Sequence, residues 1–351
     1  MLRSGKFLAT LEVLLVRKAA IVIGLGAFFL TMALLLKFYA YDRLAVVPLD
    51  QNTQQVARDQ QATFFDADNV KPGSGPIATR LTAIADKKAS ESASDATGKD
   101  VVVLDFGRYT DNNNEPPPME AYKDRFAIDR HTGQAVRWDG DRLDDKPAHP
   151  SGLTVKFPFQ TQQKTYPFWD SRLSKAVPVK YEGTDTIKGL KVYRFHDTVA
   201  KTKYADQEVP RGVFGQPDTG GVVAGRFYTN DRTIWVEPET GVIVKVQEKR
   251  HDTLELAGAE PVNAITTTST FDDKTVSTNV DDYKDKATQL KILRFWAPLA
   301  LGILGVLLIL GGLALSAAGG RRGSERTDEQ GFADVDDVLQ TRRGRAAGGQ
   351  A

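Results

Sequence analysis

Cysteine is absent from the 351 residues, which excludes structural disulfides, thiolate metal sites and cysteine nucleophiles together. Asn-x-Ser/Thr sequons are missing as well. Charge of one sign is also lacking: 46 basic residues against 45 acidic ones leave a net charge of +1, with no excess to attract nucleic acid. Histidine is scarce, and His131, His149, His196 and His251 show neither an i, i+4 pair nor an HExxH motif, so no metal centre is expected. His196-Asp197 and His251-Asp252 are adjacent pairs, but neighbours on a strand point to opposite faces. No Walker or dinucleotide glycine pattern occurs, and Gly73-Ser74-Gly75 lacks the full nucleophile elbow. The acidic pairs Asp144-Asp145, Asp272-Asp273 and Asp281-Asp282 have no EF-hand spacing around them and read as solvated turns. These absences predict a chain that is not an enzyme and that carries no cofactor.

What is present is two long apolar runs. Ala19 to Leu36 (AAIVIGLGAFFLTMALLL) and Phe295 to Ala318 (FWAPLALGILGVLLILGGLALSAA) contain no charge. Each reaches the roughly 18 to 20 residues that cross a hydrocarbon core, whereas a buried core helix rarely exceeds about 14. The flank after the first, LKFYAYDRL, has no small-x-small cleavage site and argues against a removed signal peptide. We therefore expect spans at 19–41 and 295–318. Gly24 and Gly26 in the first, with Gly302, Gly305, Gly311 and Gly312 in the second, either let the helices approach closely or reflect the frequency of glycine in membrane helices. Arg3, Lys6, Arg17 and Lys18 precede the first span and Arg321, Arg322 and Arg326 follow the second, which predicts both termini in the cytoplasm and residues 42–294 outside it.

Residues 1–18 alternate apolar Leu2, Phe7, Leu11, Leu14 and Leu15 with basic residues and read as a cytoplasmic or interfacial stretch. Residues 319–351 are rich in Gly, Arg and acids and read as a disordered tail. In that tail Phe332, Val335, Val338 and Leu339 fall at helical spacing, either a docking helix for a cytoplasmic partner or chance clustering.

Between the spans the chain reads as mainly antiparallel β with a few helices. The stretch before Ser94 is polar, with a turn at Lys71–Pro76 and a short helix around Ile77 to Lys88. From Val101 on, runs rich in β-branched and aromatic residues alternate with Gly, Pro, Asn and Asp. The expected strands are Val101–Phe106, Leu153–Phe159, Leu190–Phe195, Val222–Tyr228, Thr233–Glu237, Val242–Gln247, Thr253–Leu256 and Ala264–Phe271. Phe126–Trp138 and Ile234–Val246 each set a Thr-Gly pair between two such runs and are expected to be hairpins, the glycine taking positive φ. Phe157, Phe159, Tyr166, Phe168 and Trp169 supply large apolar area beside two sheet-interrupting prolines, and either line an apolar cavity or form ordinary core.

Two of these motifs carry a likeness. Ile187–Phe195 (IKGLKVYRF) and Trp235–Gly241 (WVEPETG) resemble, in the same order, stretches of the ectodomain of class B scavenger receptors and their lysosomal integral membrane relative. Over about residues 10 to 320 the chain is also similar to a family of actinobacterial two-span membrane proteins labelled porin-like PorA. The receptor likeness implies a lipid-carrying ectodomain with an apolar tunnel, and makes Lys188, Gly189, Tyr193, Phe195, Trp235, Pro238 and Gly241 residues of the fold motif rather than ligand contacts. The chain departs from the receptors in having no cysteines, no sequons and a shorter ectodomain, which puts their helical ligand-capture cap in doubt. The expectation drawn from all this is an extracytoplasmic domain that binds a lipid or glycolipid and transfers it between membrane and envelope. The alternative is an envelope scaffold whose cytoplasmic tail recruits partners.

Overall fold

A computed structural model describes residues 2–67, 69–112, 118–217 and 220–317. The chain divides into two units, Asp42–Lys291 and the terminal segments on either side of it. In the terminal unit, helix α1 runs over Leu2–Leu35. A π-turn follows at Leu36–Ala40, and one further turn, α2 (Tyr41–Leu44), begins at the last residue of this segment and lies otherwise in the central unit. A second π-turn, Ile292–Trp296, opens helix α5 over residues 297–317. The stretches Arg17–Leu44 and Asp273–Ala317 are long and apolar enough to cross a membrane. From residue 17 on, most large side chains of α1 and α5, among them Phe28, Leu34, Leu307 and Leu310, are exposed, as lipid-facing residues are.

The two helices touch along small residues. Buried positions recur every seventh residue, at Ala19, Gly26 and Ala33 on one helix and at Pro298, Gly305 and Gly312 on the other. A Cβ at Gly26 would lie 2.7 Å from the Gly305 carbonyl oxygen, and one at Gly312 would lie 2.5 Å from Ile23. Glycine is thus required at three of the six positions. Gly24, Gly302 and Gly311 have nothing within 4 Å and are incidental. The period is that of a left-handed helix pair, with small residues allowing close backbone approach. Phe38, Tyr39, Phe295 and Trp296 are exposed on the two π-turns and suit a membrane–water boundary.

The central unit is one twelve-stranded antiparallel sheet. Its strands are β1 (Asn52–Asp66), β2 (Lys71–Asp86), β3 (Val101–Asp111), β4 (Glu120–Asp129), β5 (Arg142–Leu143) and β6 (Lys146–Pro147), then β7 (Tyr166–Asp170), β8 (Lys175–Ile187), β9 (Leu190–Pro210), β10 (Gly221–Val236), β11 (Ile243–Glu255) and β12 (Val262–Phe271). The order is β6-β5-β4-β3-β2-β1-β12-β11-β10-β9-β8-β7, two meanders joined where β1 pairs with β12. Helix α3 (Lys87–Thr97) lays Ala93 against Val101, Val103 and Ala127, and α4 (Asp273–Lys291) lays Val276 and Val280 against Leu190, Val192 and Val244.

This sheet curls until its edge regions meet. β4 and β11 stand five places apart, about 24 Å on a flat sheet. Yet Arg250 on β11 donates to Glu120 on β4 at 2.6 Å. Single bridges Ile128↔Ala135, Gln134↔Leu153 and Leu153↔Phe168 complete the ring from β4 to β7. The concave face is buried and the opposite residues are polar: on β10 and β11 these include Thr229, Asp231, Thr233, Gln247, Lys249 and His251.

The structure corrects several expectations. Ile77 to Asp86 is not helix, and Lys71–Pro76 is not a turn: both belong to β2, and of the expected helix only Lys87 and Lys88 are helical, as the first residues of α3 after Asp86, whose carboxylate caps the Ala89 N–H. Pairing on both sides, by β1 and β3, outweighs local propensity here, and Pro76 is accommodated at the β1–β2 register shift. Leu153–Phe159 is not a strand; apart from the bridge at Leu153 it is a strap. The runs 222–228 and 233–237 fall, all but Glu237, in one strand, β10, and 242–247 and 253–256 fall, all but Val242 and Leu256, in one strand, β11. The helical spacing at Phe332–Leu339 and the rest of residues 319–351 lie outside the described residues, as do the side chains of residues 1–16, whose backbone from Leu2 continues α1.

Candidate functional site

The strap is held by a loop design that occurs twice. Asp129 accepts from the N–H groups of His131 and Thr132 and from the Thr132 hydroxyl, while Gly133 N–H returns to the Asp129 carbonyl at 2.9 Å. Glu237 accepts in the same way from Glu239 N–H, Thr240 N–H and the Thr240 hydroxyl, and Gly241 N–H returns to the Glu237 carbonyl at 2.9 Å. An acid, two residues, Thr and Gly thus build each turn, with φ of 71° and 73° at the glycines. Both glycines face the strap: added Cβ atoms would meet Lys156 at Gly133, and the carbonyls of Phe157 and Pro158 at Gly241. Phe157 N–H donates to the Gly241 carbonyl at 2.7 Å and Thr161 N–H to the Pro238 carbonyl at 2.8 Å.

The motif residues therefore have structural posts. Lys188 and Gly189, both at positive φ, form the two-residue β8–β9 hairpin turn between paired Ile187 and Leu190. Lys188 Nζ also reaches Asp273 at 2.8 Å. Trp235 Nε1 donates to Asp185 at 2.8 Å, Pro238 and Gly241 hold the strap, and Tyr193 lies edge-on to Tyr181.

The aromatic residues do not all converge. Phe157, Tyr166 and Phe168 form one concave cluster with Phe195, Val179, Ile234 and Val236; the Phe157 and Phe195 rings are 4.6 Å apart. Trp169 is buried elsewhere, edge-on to Phe126. Phe159 is half-buried, its ring 3.8 Å from Lys156 Nζ. That amine is buried and has no hydrogen-bond partner. Burial pushes its pKa down to about 7, partly opposed by Asp129.

Next to the aromatic cluster on the concave face lies a belt of charge. Arg172, from the loop after β7, donates to Glu120, Asp252 and the Tyr122 hydroxyl at 3.0 to 3.3 Å. Arg250 adds the 2.6 Å bond to Glu120, and Arg226 stands 3.8 Å from the same carboxylate. Arg232 pairs with Asp197 at 2.9 Å and with Glu248 at 3.8 Å. Burial alone would raise the Glu120 pKa, but Arg250, Arg172 and Arg226 together hold it down at about 2. Burial pushes the Tyr204 hydroxyl up to about 12.

Of the belt, sequence drew attention only to Asp197 and Asp252, each as the neighbour of a histidine, and to none of its arginines nor to Glu120. The belt's trace there is the break at residues 229–232 between two apolar runs of β10 and the matching break at 248–252 in β11. On both strands the inward positions of period two turn polar at the same level.

His196 and Asp197 illustrate how neighbours separate. His196 lies between Glu182 and Asp231 on the polar outer face, 3.2 Å from each, while Asp197 faces the belt. Among the described residues no group of three or more His, Cys, Asp or Glu is placed to hold a metal ion.

Two spans and a mainly antiparallel β domain define the class: a two-span membrane protein with a β-rich central domain. Residues 18–314 match the family model described as Porin PorA, and the chain belongs to that family. A relative described as Porin PorA from Corynebacterium resistens is 26% identical over 406 aligned residues, covering 88% of this chain and 98% of the relative. Another Porin PorA, from Corynebacterium amycolatum, is 24% identical over 373 residues, covering 83% of this chain and 96% of the relative.

Proposed function

We propose that this protein is an envelope carrier: the domain between the spans stands outside the cytoplasm, binds a lipid or glycolipid, and passes it between the cytoplasmic membrane and the envelope. The observation that carries this reading is the pairing of an aromatic cluster with a charged belt on one concave face, a complement to an amphipathic molecule. The strap across the cluster has no strand ladder, and a few backbone hydrogen bonds hold it, so it is the natural part to open. The basic residues next to the spans favour cytoplasmic termini.

A second reading, a solute path, takes its support from the name of the relatives and from the charged belt. The outer face argues against one form of it. A barrel in hydrocarbon needs an apolar outer band, and here Lys249, His251, Thr266 and Thr268 are exposed on that face. The domain is therefore read as working in water.

The test is to extract the full chain in native membrane discs, shown folded by circular dichroism, and to compare its co-purifying lipids by mass spectrometry with those of discs holding an unrelated two-span protein. Enrichment of one lipid or glycolipid class is expected. Identical lipid profiles would refute the carrier reading.

A further inference from the structure

The belt is unevenly paired. Among the described residues, Arg172, Arg226 and Arg250 share two carboxylates within 4 Å, Glu120 and Asp252, whereas Arg232 alone has two, Asp197 and Glu248; the belt balances as a whole, but cations outnumber carboxylates at the Arg226 end. Arg172 is fully engaged, with two carboxylates and two tyrosine hydroxyls. The other two are not. Arg250 is nine-tenths buried, yet its Nε donates no hydrogen bond, although Asp252 Oδ1 lies 3.3 Å away. Arg226 Nε is also buried and donates to nothing, and the nearest carboxylate oxygen is 3.8 Å from its Nη2. Its guanidinium lies against the Tyr204 ring, 5.3 Å from the centroid. A guanidinium seated against an aromatic ring, its side chain 22% exposed and without a close carboxylate, is a recognition element for a bidentate oxyanion.

We propose that Arg226, with Arg250 behind it, binds an oxyanion of phosphate type on the concave face of the domain, and that Glu120 holds the surrounding guanidiniums in place. The site stands on the belt alone. Only the further step, that the anion is the head of a lipid, rests on the carrier reading.

The experiment uses the full chain in maltoside micelles, titrated at constant ionic strength with inorganic phosphate and, separately, with dioctanoyl phosphatidic acid, binding being read by calorimetry. Saturable binding is expected, weakened at least about tenfold in Arg226→Gln. Arg226→Lys, which keeps the charge but loses the fork, should fall between, and it serves as the test variant if Arg226→Gln does not fold. Binding of phosphate as tight as that of the lipid establishes the anion site and removes its support for a lipid cargo. Preference for the lipid, lost in the variants, establishes both. Absence of saturable binding of either probe, or binding unchanged by the substitutions, overturns the proposal.

Discussion

Gly241 and Gly258 hold nearly the same left-handed backbone, φ 73° and 81°, and differ only in what surrounds them. A Cβ at Gly258 meets open space, so Gly258→Ala should cost about 1 kcal/mol, the left-handed backbone alone. At Gly241 the same atom falls on the Phe157 carbonyl, and Gly241→Ala should cost roughly 3 kcal/mol or more as the strap is pushed away. Thermal melts of the two variants, followed through the aromatic near-ultraviolet signal, separate these costs; equal losses would contradict the clamped strap. The Lys156 amine makes a second prediction. Its folded pKa, near 7, lies below the usual lysine value of 10.5, so the unfolded chain binds more protons between those values and stability rises with pH across that window. Lys156→Met should remove this rise and stabilise the fold at neutral pH by on the order of 2 kcal/mol, measured by melts from pH 7 to 10.

At the scale of elements, the spans pair through glycines that sequence could not rank. The chain has no cysteine, so introduced pairs report directly on contact. Gly26→Cys with Gly305→Cys should crosslink within one chain on oxidation in membranes, whereas Gly24→Cys with Gly302→Cys should not. A reversed pattern, read from gel mobility, would remove the small-residue seam. The strands show the complementary limit of pattern reading. Apolar alternation revealed both ends of β10 and β11 but lost their middles, where Arg232, Glu248, Arg250 and Asp252 occupy inward positions. The rule of apolar inside and polar outside fails where charges pair across the interior. β1 and β2 were hidden for another reason: their residues are polar, Gly-rich and Pro-containing, and their pairing comes from neighbours on each side. The two Thr-Gly turns, by contrast, were legible, because each is built within five residues.

For the whole molecule, the belt does what a hydrophobic core would otherwise do: it ties β4 to β11 and to the loop after β7. Removing one partner leaves guanidiniums buried without a counter-charge, so Glu120→Gln should destabilise the domain by about 3 kcal/mol. The pH dependence follows from Glu120 itself. Its carboxyl titrates near 2 when folded, below the unfolded value of 4.5, so its contribution is complete above pH 4.5 and is lost as pH falls towards 2. Acid titration should therefore show a loss of stability below pH 4.5 in the wild type that is smaller in Glu120→Gln. Coincident acid profiles would show that the three arginines do not stabilise this carboxylate.

Sequence by itself determined the two spans, the β character of the domain between them and the two Thr-Gly turns. Those features depend on residues a few places apart, and composition and period report such neighbours. Tertiary structure alone decided which glycines join the spans, that five aromatic residues divide among separate surroundings, and that the sheet curls around a charged belt. Arg250 and Glu120 lie 130 residues apart, and only closure of the sheet brings them together.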